Sequence, residues 1–365
     1  MEKDLKTLKN ISIIFLITAI FVTMYLLSSI LIPLVLALLF AILFQPVINA
    51  LTKIHIPKFI ILPILVILTV AFLFVIGYII YSTGTDIALE TNFLLDRFNA
   101  RFTYLLHLYN EISGQHLKPD NFIAYITKEV DTGSITKFVT SVAGNVTKFS
   151  GDLMWFVLYY VILLAAIPHY KEFFRYIGGE RKDYFLNLYN KIQRSIVSYV
   201  LLKALLNLIL GIGTYVVCLQ FGIKFPLFWA CLMFFFHFIP TIGAFIGIIP
   251  AVLMAILQFD SIGFVALFAG IMCALVFIMG NFIEPKVMGS RLRINTLTVL
   301  FSLVFWSYCW GIAGALLSVP LAAILKLTFE EIPDLSFLAR FMGSAKKQDT
   351  KTAPLIDKIH LDEDI

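Results

Sequence analysis

The stretch from Phe225 to Leu257, FPLFWACLMFFFHFIPTIGAFIGIIPAVLMAIL, constrains this chain more than any other. It is apolar from end to end, yet Pro240-Thr241-Ile242-Gly243 sits at its centre. Proline lacks a backbone donor and glycine allows turn dihedrals, so this Pro-x-x-Gly run interrupts a helix. Each flank is about 14 residues, or roughly 21 Å of helix. That is short of the roughly 30 Å hydrocarbon core of a bilayer. The sequence therefore predicts two half-length arms meeting at a polar tip inside the membrane, a re-entrant hairpin. Irregular backbone at that depth survives only when buried in protein or lining a water-filled cavity. The tip is accordingly the leading candidate for a transport site.

Composition sets the setting. The 365 residues are 60% hydrophobic and 14% charged, with a mean hydropathy of +0.92. That excludes a soluble domain of this length and indicates a polytopic membrane protein. The net charge of +5 fits basic residues at cytoplasmic helix ends, and no nucleic-acid partner is expected. Cys218, Cys231, Cys273 and Cys309 lie in apolar runs without a CxxC pair and are expected to be free. The Lys-rich segment 1–10 leads into a long apolar run with no small-x-small cleavage site, so a retained first helix is expected.

Hydropathy and charge divide the chain into five parts. Residues 1–82 hold scaffold spans: 11–51 suits two spans with a tight connection near Ser28 to Pro33, and about 59–82 a third, ended by Gly84 and Asp86. Residues 83–150 read as an external amphipathic insert. Leu94, Phe98, Leu105, Tyr109 and Ile112 share one helical face, as do Ile135, Phe138, Val142, Val146 and Phe149. Residues 151–199 hold a fourth span at about 152–168 and a basic amphipathic segment, 169–198. Residues 200–327 hold a fifth span (200–221), the opening hairpin, a sixth span (262–282) and a second broken run, 297–327, interrupted by Gly311, Gly314 and Pro320. Residues 328–365 form a polar tail.

Topology favours hairpins over plain spans. If every run crossed once, Lys286, Arg291 and Arg293 would lie outside, against the positive-inside bias. If 225–257 and 297–327 each enter and return, the basic clusters and both termini become cytoplasmic. A span-then-hairpin unit then repeats with opposite orientation, the plan of many secondary transporters, which bind cargo where broken helices meet. The expected fold is thus an all-α polytopic membrane protein of about eight hydrophobic elements, two of them re-entrant helical hairpins, with an inverted repeat in the C-terminal half.

Three segments in order add a family resemblance. His237-Phe-Ile-Pro-Thr-Ile-Gly-Ala-Phe-Ile-Gly-Ile-Ile-Pro250 resembles an "IP-x-IG-P" signature, although Ala244 stands where a proline is common. Asn281-Phe-Ile-Glu-Pro-Lys-Val-Met-Gly289 resembles an "N-x-x-P-x-x-MG" segment, and Gly311-Ile-Ala-Gly-Ala-Leu-Leu-Ser-Val-Pro-Leu-Ala-Ala323 a "G-x-x-G-x-L-x-x-P-L-A-A" stretch. Together they resemble the autoinducer-2 exporter family of bacterial permeases. The resemblance implies a bacterial inner-membrane permease that forms a homo-oligomer, with a pentamer as the expected assembly. It implies export of autoinducer-2 for some members and sodium or lithium exchange for protons in others.

The candidate substrate-binding residues are His237, Pro240, Thr241, Gly243, Asn281, Glu284, Gly311 and Gly314. His237 is an ionisable group in an apolar arm, and intramembrane ionisable groups mark function by default; packing is the competing role. Thr241 offers a hydroxyl to a polyhydroxylated ligand or an ion, or else caps backbone freed by Pro240. Asn281 and Glu284 lie one helical turn apart, and Glu284 could instead pair with Lys286 or Arg291. Lys203 is expected to snorkel to the cytoplasmic interface, and Asp152 and Asp260 to be solvated.

No HExxH, Walker loop or G-x-S-x-G is present, so no enzyme, cofactor or metal site is expected and transport would be gradient-driven. The leading function is a permease for a small organic solute. A Na⁺(Li⁺)/H⁺ antiporter is second, because it needs a buried carboxylate and only Glu284 qualifies. A membrane scaffold acting through the 83–150 insert is third.

Overall fold

The computed structural model describes residues 11–343, except 13–14, 16–17, 91–95, 102, 105–108, 112–113, 115–150, 167–169, 171, 174–175, 177–178, 180–181, 290–291 and 293. Most of the predicted insert, including its second apolar stripe, lies outside the described residues, as do Arg291 and the tail from 344. Among the described residues the regular structure is helical, apart from one isolated bridge between Ile294 and Gly343. The principal helices are α1 (Ser28–Lys53), α2 (Lys58–Leu89), α3 (Gly151–Ala166), α4 (Lys182–Gln220), α5 (Pro226–Phe236), α6 (Gly243–Gln258), α7 (Ile262–Ile278), α8 (Thr296–Glu331) and α9 (Ser336–Met342). Among the described residues, five helices are long and apolar enough to cross a membrane. Large apolar side chains such as Phe59, Ile67 and Phe74 on α2 are exposed, which a helix tolerates in lipid but not in water.

The N-terminal boundaries differ from the sequence reading. The break in the first apolar run falls at Leu27, and Pro33 lies inside α1 rather than in a connection. One turn before that break, the carbonyl of Met24 accepts the indole N–H of Trp310 at 3.1 Å, a tertiary contact no local pattern reveals. Helix α2 continues past Gly84 and Asp86 to Leu89; neither residue stops a helix that needs no tight turn there. The second part of the amphipathic segment, from Lys182, and the fifth span are one helix, α4, of 39 residues. At about 58 Å it is longer than the hydrocarbon core, so it protrudes at one end.

Two cores organise these helices. Ala37, Ala41 and Ile48 of α1 pack with Ile61 and Leu65 of α2 and Phe156, Tyr160 and Leu164 of α3. Leu206 and Leu210 of α4 pack with Trp229 and Met233 of α5, Ala251 and Met254 of α6, and Phe268 and Met272 of α7. Helix α8 joins the two, since Trp306, Trp310 and Leu317 lie against Leu31, Val35 and Leu36 of α1, while Val319 packs with Ile196, Tyr199 and Val200 of α4.

Both broken runs double back. In the first, α5 and α6 are antiparallel arms whose open end is closed by Gln258. Its Nε2 donates to the Gly222 carbonyl at 2.6 Å and its Oε1 accepts from the Lys224 amide at 2.9 Å. In the second, Gly311 takes φ 59°, ψ −137° inside α8, a region open essentially to glycine. Ser302 Oγ then reaches the Ser318 carbonyl at 2.7 Å, whereas a straight helix would hold them about 24 Å apart. The 36 residues of α8 are therefore two short arms and not one long rod.

Polar contacts show that the hairpins open toward opposite ends. At the first hairpin's open end, Lys224 pairs with Glu90 at 2.6 Å, and Asp260 pairs with Arg97 at 3.3 Å and Arg101 at 2.5 Å. At the second hairpin's open end, the Asn295 amide donates to the Met342 carbonyl, and Lys191 pairs with Glu330 and Glu331 at 3.1 and 3.0 Å. Helix α4 connects the two ends.

Candidate functional site

The tip of the first hairpin is built by its broken backbone. Helix α5 ends at Phe236 with His237 as its cap, and α6 begins at Gly243. The left-handed residue between them is Thr241, at φ 62°. The sequence assigned the turn dihedral to Gly243, but that glycine does different work. A Cβ there would lie 1.8 Å from the Phe236 carbonyl oxygen, so Gly243 is required for close approach of the arms. Gly314 does the same in the second hairpin, where a Cβ would lie 1.8 Å from the Trp306 oxygen. A β-branched residue in the left-handed region is strained by about 1–2 kcal/mol, and here Thr241 is exposed at the apex. The two hairpins touch near this point, with Phe236 and Ile239 packed against Leu303, Ala315 and Leu316.

Beside the tip lies a buried charged cluster. Lys203 of α4 is only 5% exposed, and its Nζ pairs with Glu284 Oε1 at 2.5 Å. The second carboxylate oxygen, Oε2, lies 3.5 Å from Nε2 of His237, which is itself 7% exposed. Thus Lys203 does not snorkel to the interface, and Glu284 pairs with Lys203 and not with Lys286, while Arg291 lies outside the described residues. Helix α4 begins at Lys182, well before Lys203, so the residue sits inside the core rather than at a helix end. An ion pair withdrawn from water needs good geometry to offset its desolvation, and the short contact supplies it.

A local irregularity aims Glu284. Met279–Ile283 is a π-helical turn between α7 and the short helix Glu284–Met288. Such turns insert a residue and often mark functional sites. The wider turn rotates Asn281 away from Glu284: Asn281 is exposed and its amide donates to the Phe277 carbonyl at 3.1 Å. The structure thus joins His237 and Glu284 with Lys203, places Pro240, Thr241 and Gly243 in the adjoining tip, and leaves Asn281 outside the cluster. Gly311 forms the bend of the second hairpin and Gly314 its arm contact.

Sequence reasoning passed over a polar stripe on α4. Lys203, Asn207 and Thr214 recur at helical spacing on one face and are buried, the last two completely. The Asn207 amide donates to the Phe234 carbonyl at 3.1 Å, satisfying one of the free carbonyls at the end of α5. Asn207 Oδ1, Thr214 Oγ1 and His237 Nε2 are buried without a hydrogen-bond partner among the described residues, and such atoms call for a water, an ion or a functional role. Polar residues recurring every three to four positions in an otherwise apolar span were the available signal.

Comparison with known proteins agrees with this architecture. The AI-2E family transporter pattern matches residues 13–334. A "Putative transport protein" of Haemophilus influenzae is 29% identical over 330 residues, covering 87% of this chain and 91% of that protein. "Putative transport protein YhhT" of Escherichia coli is 25% identical over 323 residues, covering 87% and 89%. "AI-2 transport protein TqsA" of Escherichia coli is 24% identical over 353 residues, covering 95% and 100%. With a match that runs through the scaffold helices, both hairpins and the charged cluster, this chain belongs to the AI-2E family of multi-pass membrane transporters.

Proposed function

We propose that the chain moves a small organic solute across the bacterial cytoplasmic membrane by alternating access, driven by an ion gradient. Cargo binds between the two hairpin tips, next to Pro240, Thr241, Gly243, Gly311 and Gly314, with His237 and Glu284 alongside. The observation that carries this reading is the pair of hairpins opening toward opposite ends and meeting at Ile239, Leu303 and Ala315. Read in a bilayer, they are re-entrant, and α4 with the first hairpin and α7 with the second form an inverted repeat. This arrangement gives a mid-membrane site that each side can reach in turn. Both termini then lie in the cytoplasm, with the 83–150 insert outside. The name of the TqsA relative makes autoinducer-2 or a chemically related metabolite the first cargo to test. The assembly is proposed to be a homo-oligomer, a pentamer in the first instance. The exposed outer face of α8, with Phe301, Val304 and Tyr308, supplies apolar surface for lipid or a neighbouring subunit.

Cation/proton exchange is the second reading, favoured by the partly buried Glu284 carboxylate. Proteoliposomes decide between them. Autoinducer-2, Na⁺ and Li⁺ are supplied in turn under an imposed proton gradient, for wild type and for Thr241→Leu at the exposed apex. The proposal expects organic-solute flux that Thr241→Leu abolishes. Cation flux alone selects the second reading, and flux of either kind unaffected by Thr241→Leu moves the site away from the tips.

A further inference from the structure

The buried cluster has chemistry of its own beyond holding cargo. Glu284 divides its two oxygens between Lys203 on α4 and His237 at the end of α5. The contact to His237, at 3.5 Å, is within ion-pair reach, yet the buried Nε2 makes no hydrogen bond among the described residues. An unprotonated Nε2 would place its lone pair against those of the carboxylate, so this gap suits a proton. The titratable groups facing Glu284 are Lys203 and Tyr199 from α4 and His237 from α5. His237 caps the arm that leads into the strained tip, so what binds there acts on the hairpin directly.

We propose that His237, Glu284 and Lys203 form a proton-binding latch that couples proton uptake to movement of the first hairpin. The inference rests on the transporter reading above and names the coupling chemistry of the same region. A proton from water reaching the opened tip binds His237. The imidazolium passes its Nε2 proton to Glu284 Oε2: the N–H bond breaks, the O–H bond forms, and neutral imidazole and a carboxylic acid remain. The Lys203 ammonium then faces a neutral partner, and the bond tying α4 to the short helix Glu284–Met288 weakens. Loss of the proton restores the pair. Lys203 acts here as a positioning residue that holds the Glu284 carboxylate beside His237.

The test needs no cargo. Full-length protein in lipid nanodiscs is titrated with acid and followed by infrared difference spectroscopy of the protonated carboxyl band. In parallel, a cysteine replacing Thr241, in a background lacking the native cysteines, is labelled across the same pH range. Wild type should gain the carboxyl band on acidification, with several-fold faster labelling of the tip. Glu284→Gln should lose both responses. Lys203→Met should move the carboxyl titration to higher pH, because the carboxylate loses its cation, and the labelling of the tip should follow that same shift. Lys326→Met, which removes a different lysine–glutamate pair, that to Glu330 within α8, should leave both responses unchanged. If a single variant does not fold, the neutral double variant Lys203→Met/Glu284→Gln replaces it and should show neither response. An unchanged carboxyl band in Glu284→Gln, or pH-dependent labelling in the double variant, overturns the latch. Because cargo plays no part, such a result would leave the flux assay for transport standing, and a negative flux assay would leave the latch standing.

Discussion

Replacing single glycines separates the two hairpins from any arrangement of straight spans. In a straight helix, Gly243→Ala and Gly314→Ala would be helpful, because alanine is favoured over glycine by about 0.5–1 kcal/mol. In the structure each new Cβ would lie 1.8 Å from a backbone carbonyl oxygen of the opposite arm, and contacts under 3.0 Å force something to move. The obstacle is backbone and not a flexible side-chain end, so the arms must part by at least about 1.2 Å. Overpacking of this kind costs about 1–3 kcal/mol, and a backbone obstacle belongs at the upper end. Gly270 in α7 is the control: nothing lies within 4 Å of its Cβ position, so Gly270→Ala should stabilise by about 0.5–1 kcal/mol. The signs therefore oppose one another across a gap of about 4 kcal/mol. Thermal unfolding of the purified protein in one detergent reads the contrast. Gly243→Ala and Gly314→Ala should melt below wild type, and Gly270→Ala at or above it. If all three behave alike, the arms do not close as described. The same geometry rules out Gly314→Leu as a clean probe of transport, because it would disturb the fold first.

Two further expectations concern orientation and assembly. A cysteine at Asp260 should react with a membrane-impermeant reagent from outside and one at Arg291 only from the cytoplasm, whereas cytoplasmic labelling at Asp260 would reverse the first hairpin. Deleting 86–148 should weaken oligomerisation, read by mass in native detergent, because it removes the Arg97 and Arg101 contacts to Asp260 along with the amphipathic stripe; an unchanged oligomer with normal flux refutes that role for the insert.

The hairpins were legible in the sequence because their cause is local. Pro240 removes a donor, and Gly311 permits dihedrals that other residues avoid, so the breaks are written where they occur. The role of Gly243 was not legible, since its constraint is a carbonyl on the opposite arm. The charged cluster was half visible. His237 and Glu284 stood out as ionisable groups in apolar runs, but the partner of Glu284 lies 81 residues away in sequence. The π-helical turn at Met279–Ile283 resets the helical phase, so counting from Asn281 at 3.6 residues per turn points Glu284 the wrong way. Sequence alone places Lys203 at the interface, because lysines near span ends usually snorkel to water. Here α4 is extended by its amphipathic segment and carries that lysine into the core.

The claim that the hairpin tips move apart during transport is tested most directly by joining them. Ile239 and Ala315 pack in one cluster, so both are replaced by cysteine in a background lacking Cys218, Cys231, Cys273 and Cys309. The protein is reconstituted into proteoliposomes and oxidised, and flux of the cargo identified for wild type is measured before and after reduction. The account predicts that the cross-link forms, that flux stops, and that a reductant restores it. A cross-linked protein that transports at the wild-type rate would contradict it.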